Sequence, residues 1–174
     1  ILARALARIL PDTLLEPEAY EQSLDRLDRA AEHLGPILDP ELRDLYSKGV
    51  AFHHAGLHVE LKTLVEELYE ARLLMVLYCT STFALGINMP ARTVVFDGVK
   101  KFDGTQVAPL TTRGFMQKAG RAGRRGMDDR GHVIVRVDLE EYGELKPVLE
   151  KYRRGSYEPV RSTFNLSFHS ICLL

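Results

Sequence analysis

Cysteine is scarce in this sequence, tryptophan is absent, and no apolar run is long. The two cysteines, Cys79 and Cys172, stand far apart and in no CxxC spacing. That excludes a zinc ribbon and a disulfide scaffold, and it points to a reducing intracellular compartment, cytoplasmic or, in a eukaryote, nuclear. No apolar stretch approaches the ~20 residues needed to cross a bilayer, so no membrane span is expected. Neither sign of charge is in excess, with 23 Lys plus Arg against 24 Asp plus Glu. A globally basic nucleic-acid binder is thereby excluded, but a local basic stripe is not. The chain also lacks GxxxxGK(S/T) and a DExH acid. The nearest approach, GLHVELKT at 56–63, has leucine where a phosphate-cradling loop needs its second glycine. A leucine side chain would block the nest of backbone N–H groups, so a self-sufficient phosphotransferase is disfavoured. The opening ILARALARILPD lacks an initiator methionine and an uninterrupted apolar stretch. It reads as the middle of a helix in a longer chain rather than as a signal peptide.

What is present is the balance of a soluble globular protein, 45% hydrophobic and 27% charged over 174 residues. At this size folding buries roughly two-thirds of the unfolded chain's surface, enough for one domain without metal or disulfide. Tyr20, Leu24, Leu27, Ala31 and Leu34 recur at helical spacing up to Gly35-Pro36, and Asp39-Pro40 opens a shorter helix. A further helix follows His58, carried by Leu61, Leu64, Val65 and Leu68. LLMVLYC at 73–79, TVVFDGV at 93–99 and HVIVRV at 132–137 are continuous apolar runs. They predict strands buried on both faces of a parallel sheet. A helix from about Thr111 to Gly120 lies between the last two. Strands alternating with helices predict an α/β fold with a parallel central sheet. Pro147 is expected to interrupt the helical stretch 139–152, RRGSYEP at 153–159 reads as a linker, and STFNLSFHSICLL begins a new apolar helix.

Three loops carry candidate chemistry, on the expectation that ligands bind beyond strand ends in open α/β sheets. TSTFALGINMPAR at 80–92 places Thr80 where a buried strand emerges, with Gly86 for a tight turn and Asn88 as both donor and acceptor. An ordinary strand exit is the alternative. QKAGRAGRRG at 117–126 spaces Gln117, Arg121 and Arg124 at i, i+4 and i+7, on one face of a continuing helix. Its glycines clear space for another surface or a phosphate, and its guanidinium groups suit the charge of a transferring phosphoryl group. The stretch 97–125 holds seven basic residues against two acidic ones, which favours phosphate binding over a merely solvated basic turn. FHHAGLH at 52–58 invites a metal reading through His54 and His58, but no acidic or cysteine ligand accompanies them at suitable spacing. A glycine-bearing turn at a helix start, Gly56, suits a phosphate contact through backbone N–H groups better.

Taken together these segments resemble the second RecA-like lobe of superfamily-two helicases. HHAGL, TSTFALGIN and QKAGRAGRRG are similar, in order, to motifs IVa, V and VI. TFALGINMPARTVVF, KFDG and GRAGRRGMDDRG resemble the superkiller-type DExH RNA helicases, including the nuclear-exosome branch. The resemblance implies a RecA-like lobe over 49–152. It makes 1–48 the variable helical stretch before motif IVa, and 153–174 the linker and first helix of a winged-helix-type domain. It implies that Thr80 touches a nucleic-acid phosphate and that Gly56 lies near the strand's track. Gly86 and Asn88 would face ATP with its Mg2+, which an upstream lobe mainly holds. Gln117 would couple nucleotide state to lobe closure, and Arg121 and Arg124 would reach the γ-phosphate as arginine fingers. Ser81 stands where much of this branch has an acidic residue. The implied partners are single-stranded RNA, the upstream RecA-like lobe and an RNA-degrading complex, and the chain alone is expected not to hydrolyse ATP. A DNA-repair-type lobe of the same superfamily and a non-catalytic nucleic-acid-binding scaffold remain the alternatives.

Overall fold

Ala3, Leu6 and Leu10 recur at helical spacing, and helix α1 (Leu2–Ile9) lays this stripe against a core. The structure, a computed structural model, describes residues 2–10, 12–80, 90–102 and 104–159. It divides into two compact units, Ile1–Pro90 and Ala91–Leu174, each with its own apolar cluster. The architecture is α/β.

In the first unit, α2 (Pro17–Leu34) opens on a proline, whose missing N–H costs nothing at a helix start, and buries Leu27 and Leu34. A 3-10 turn, Gly35–Ile37, ends it. Asp39 then caps α3 (Pro40–Ser47), its Oδ1 accepting from the Leu42 N–H at 2.8 Å. Strand β1 (Val50–His53), helix α4 (Val59–Glu70) and strand β2 (Val76–Cys79) form a parallel crossover unit. Val50 pairs with Val76 and His53 with Cys79. Leu27, Leu45, Tyr46, Val50, Ala51, Val65 and Leu68 are buried between these layers. LLMVLYC is strand only from Val76. Leu73 and Leu74 are buried in the approach, where the Leu73 N–H closes on the Leu68 carbonyl at 2.9 Å.

In the second unit, β3 (Thr93–Phe96) pairs in parallel with β6 (His132–Val135), and a hairpin joins β4 (Lys100–Phe102) to β5 (Val107–Pro109). Thr111 caps helix α5 (Thr112–Ala119), accepting from the Gly114 N–H at 3.0 Å. Helix α6 (Leu139–Arg154) follows β6. Phe115 stacks between Phe96 and Tyr152, at ring-centroid distances of 4.6 and 4.2 Å. The Tyr152 hydroxyl donates to the Leu110 carbonyl at 2.5 Å. Burial, with the nearby Glu158 carboxylate, pushes its pKa up to about 12.

Two expectations need correction. The parallel pairing holds within each unit, but the described residues of the second unit cover only one face of β3–β6, leaving Val95 63% and Ile134 53% exposed. Val94, Phe96 and Val135 face the core instead. An apolar run reports strand propensity, and how many faces are covered depends on what packs there. Pro147 does not interrupt α6, which runs through it to Arg154. A mid-helix proline costs about 3 kcal/mol, and Leu145, Val148, Leu149 and Tyr152 on the same helix offset it by packing into the core. Among the described residues no helix is long and apolar enough to cross a membrane.

Candidate functional site

Within the first unit, the sequence-predicted Gly56 and Thr80 come to the same edge, beyond the carboxyl ends of β1 and β2. Thr80 follows Cys79 directly and is exposed, its N–H held by the His53 carbonyl at 3.2 Å. Gly56 lies in the exposed turn between β1 and α4, closed by the Leu57 N–H on the His54 carbonyl at 3.1 Å. It precedes the helix rather than starting it, since α4 begins at Val59. Lys62 donates to the Ala55 carbonyl at 2.8 Å, and His54 stacks on Phe52 at 5.6 Å, so the turn carries a cation and a flat ring. His53 is buried against Glu66, with Nε2 3.0 Å from Oε1. Among the described residues no group of three or more His, Cys, Asp or Glu is placed to hold a metal ion.

Gly86 and Asn88 lie outside the described residues.

In the second unit, Gln117 is exposed on α5, but the helix stops at Ala119. The i, i+4, i+7 spacing therefore does not put Gln117, Arg121 and Arg124 on one helical face. Both arginines come from a loop that closes on itself. The Ala91 N–H donates to the Arg121 carbonyl at 2.9 Å, and the Gly123 N–H returns to the Ala91 carbonyl at 2.8 Å. At the far end the His132 N–H donates to the Arg92 carbonyl at 3.0 Å. The loop thus hangs from the chain leading into β3, at the amino ends of β3 and β6 rather than beyond a carboxyl end. Its glycines admit the chain's own backbone: Gly123, at φ +91°, crosses Gly131, where a Cβ would fall 2.4 Å from the Ala122 carbonyl carbon.

Asp128 fixes the loop's interior. Its Oδ2 accepts from the Arg124 main-chain N–H at 2.9 Å and from Nε at 2.8 Å, while Oδ1 accepts from Nη2 at 2.8 Å. These hydrogen bonds, the side-chain one foremost, hold the Asp128 carboxyl well below the usual carboxylate range. Arg92, Arg124, Arg130 and His132 line a cavity of about 650 Å³ together with Asp128 and Asp129. Three guanidinium groups around one open space suit a polyanion bearing phosphates. Asp128 and Arg92 were not singled out from sequence. The signal for Asp128 was an acid four residues after an arginine, a spacing that pairs charges within one turn. Arg125 is exposed in the turn of this loop.

The carboxyl end of β3 is different. A cavity of about 200 Å³ there is lined by Asp97, Lys100, Arg136, Asp138 and Glu141 among others. Arg136 pairs with Asp97 at 2.9 Å and Asp138 at 3.3 Å, and Lys100 with Glu141 at 3.2 Å and Glu144 at 3.0 Å. These charges satisfy one another.

No family model matches the chain. Individual proteins do. It is 41% identical over 155 residues to the human exosome RNA helicase MTR4, covering 88% of this chain and 14% of that protein. It is 39% identical over 153 residues to mRNA transport homolog 4 of Caenorhabditis elegans, covering 87% of this chain and 14% of that protein. Against the DExH-box ATP-dependent RNA helicase DExH10 of Arabidopsis thaliana it is 44% identical over 128 residues, 73% of this chain and 12% of the relative. The chain thus spans about one seventh of the length of the first two of these relatives. Identity near 40% across most of the chain, with a loop built around GRAGRRGMDDRG, places it among the superfamily-two helicases of the superkiller and exosome type, as a segment of that family.

Proposed function

We propose that this segment is the second RecA-like motor lobe of an ATP-dependent RNA helicase. In this reading Arg121 and Arg124 present guanidinium donors to the charge that builds on the γ-phosphoryl oxygens, and Gln117 couples the nucleotide to lobe closure. Thr80 and the Gly56 turn touch the sugar–phosphate backbone of a single RNA strand and position it without reading its bases. Gly86 and Asn88 belong to the nucleotide side of the same lobe. The observation that carries the reading is the self-closed loop that holds Arg124 beside a cavity lined by Arg92 and Arg130. Planar guanidinium forks in fixed positions are what phosphoryl transfer needs, because its catalysis is almost entirely positioning and charge stabilisation.

ATP fits this donor set as a substrate whose Mg2+ is held mainly by an upstream lobe. The lobe proper would span 49–152, with 153–174 leading into a winged-helix-type domain. The partners would be RNA, the upstream lobe and an intracellular RNA-degrading complex. The segment alone should show no RNA-stimulated ATP turnover.

The test is made in the full-length chain. Arg124→Lys keeps the charge and loses the fork, so RNA-stimulated turnover should fall by roughly 10²-fold, the scale of removing a transition-state donor. RNA affinity without nucleotide should stay unchanged, and Arg125→Lys should be tolerated. Thr80→Val should weaken binding to unrelated RNA sequences alike. Equal damage from both lysine variants, with RNA binding lost in each, would make the loop a nucleic-acid surface and end the finger assignment.

A further inference from the structure

The finger reading asks why a long, flexible side chain would be ready when its phosphate arrives. An arginine side chain has many rotamers to lose, and ordering it at the moment of reaction would subtract from catalysis. Arg124 is already ordered. Its carbonyl accepts from the Met127 and Asp128 N–H groups, both at 3.0 Å, and its own N–H donates to the Asp128 carboxylate at 2.9 Å. The same carboxylate takes the Nε–Nη2 edge of the guanidinium in a two-point fork, both bonds 2.8 Å. The Asp128 side chain is only 7% exposed, whereas that of Arg124 is 34% exposed. One end of the pair is therefore sunk in the loop while the other borders the cavity.

We propose that Asp128 is a positioning residue for Arg124, gripping its main chain and one guanidinium edge so that the finger is set before the nucleotide binds. This rests on the finger reading. A guanidinium has five N–H donors in a rigid plane. The carboxylate uses the Nε edge and one Nη2 hydrogen, and the Nη1–Nη2 edge lies outside that fork. Arg92 adds a cation close enough to help keep the carboxylate ionised, and it lines the same cavity. The i, i+4 spacing alone would be worth little on an exposed helix. Here it is a two-point fork on a nearly buried carboxylate, the geometry that fixes orientation.

The test measures kcat and KM for ATP with saturating RNA in the full-length chain. Asp128→Asn keeps the shape and replaces one acceptor with a donor. It should lower kcat by roughly 10- to 100-fold, the scale of one charged hydrogen bond, with KM and RNA affinity within about twofold. In an Arg124→Lys background the same change should lower kcat by less than about twofold, because the group it positions is already gone. Asp128→Glu, which restores the charge inside the loop, should recover part of the loss. A fall in kcat for Arg124→Lys with none for Asp128→Asn would retain the finger and overturn the positioning role. A rise in kcat for Asp128→Asn would make the carboxylate a restraint and overturn it too. So would an undiminished loss in the Arg124→Lys background, which would assign Asp128 to the fold alone. No effect of Arg124→Lys itself would remove the finger reading and this proposal with it.

Discussion

Replacing Gly131 by alanine tests whether the arginine loop really closes on its own backbone. A Cβ at this position would lie 2.4 Å from the Ala122 carbonyl carbon, 2.5 Å from its oxygen and 2.6 Å from the Gly123 nitrogen. All three are main-chain atoms, so no rotamer change relieves the contact. Ordinary contact begins near 3.4 Å, so the two strands of the loop must part by about 1 Å. The atoms that move are those tied to Ala91 and Arg92 by bonds of 2.8–3.0 Å. Overpacking of this kind costs about 1–3 kcal/mol, and a 1 Å misplacement of a catalytic group can cost about 10²-fold in rate. On the proposed finger role, Gly131→Ala should therefore lower RNA-stimulated ATP turnover by roughly 10- to 100-fold in the full-length chain. Amide exchange should accelerate at Gly123 and His132, whose N–H groups close the loop. Gly126 provides the contrast: its φ of +76° leaves nothing within 4 Å of a Cβ. Asparagine, which enters this conformation more readily than most residues, should be tolerated at 126 and not at 131. Normal turnover and normal exchange in Gly131→Ala would refute the crossing.

Three further outcomes follow from the same geometry. Glu158 accepts from the Thr112 N–H at 2.7 Å and the Arg113 N–H at 3.5 Å, which holds its carboxyl below the usual value of 4.5. Its contribution is present above that value and is lost as pH falls through the lowered one, so Glu158→Gln should flatten the acid limb of an unfolding-against-pH curve. Tyr152→Phe keeps the ring stack and deletes the hydroxyl bonded to Leu110, and it should cost about 1 kcal/mol in denaturant unfolding. A larger loss would mean that the ring itself is displaced. Leu68→Ala empties a fully buried position of the first core and should cost about 2–5 kcal/mol.

Much of this was legible in the order of residues. The starts of helices at Asp39-Pro40, after His58 and near Thr111, and the α/β class, follow from local chemistry and periodicity. Candidate site residues could be named from the sequence, but their arrangement could not. Spacing suggested a helix through Arg124, because nothing local announces that Gly123 will cross Gly131, eight residues along the chain. Main-chain crossings of that kind are tertiary facts. Asp128 was hidden for the same reason: its spacing from Arg124 was visible, but the turn that makes the spacing meaningful was not. Pro147 failed in the opposite sense, since a strong local rule yielded to the packing of its neighbours on α6. Exposure on β3 and β6 was unreadable because apolar composition does not name what covers a face.

The Phe96–Phe115–Tyr152 stack has a mechanical consequence. It runs through a strand, a short helix and a long helix, and Phe115 sits two residues before Gln117. Tilting α5 by itself would require sliding one ring out from between two others, so the helix has no low-cost motion of its own. Force applied at Gln117 is therefore passed to β3 and α6 rather than absorbed locally. The chain leading into β3 also suspends the arginine loop through Ala91 and Arg92, so a push at Gln117 and a pull at Arg124 act on one stiff body. Displacement at either residue then becomes displacement of the whole unit, with little lost to bending between them.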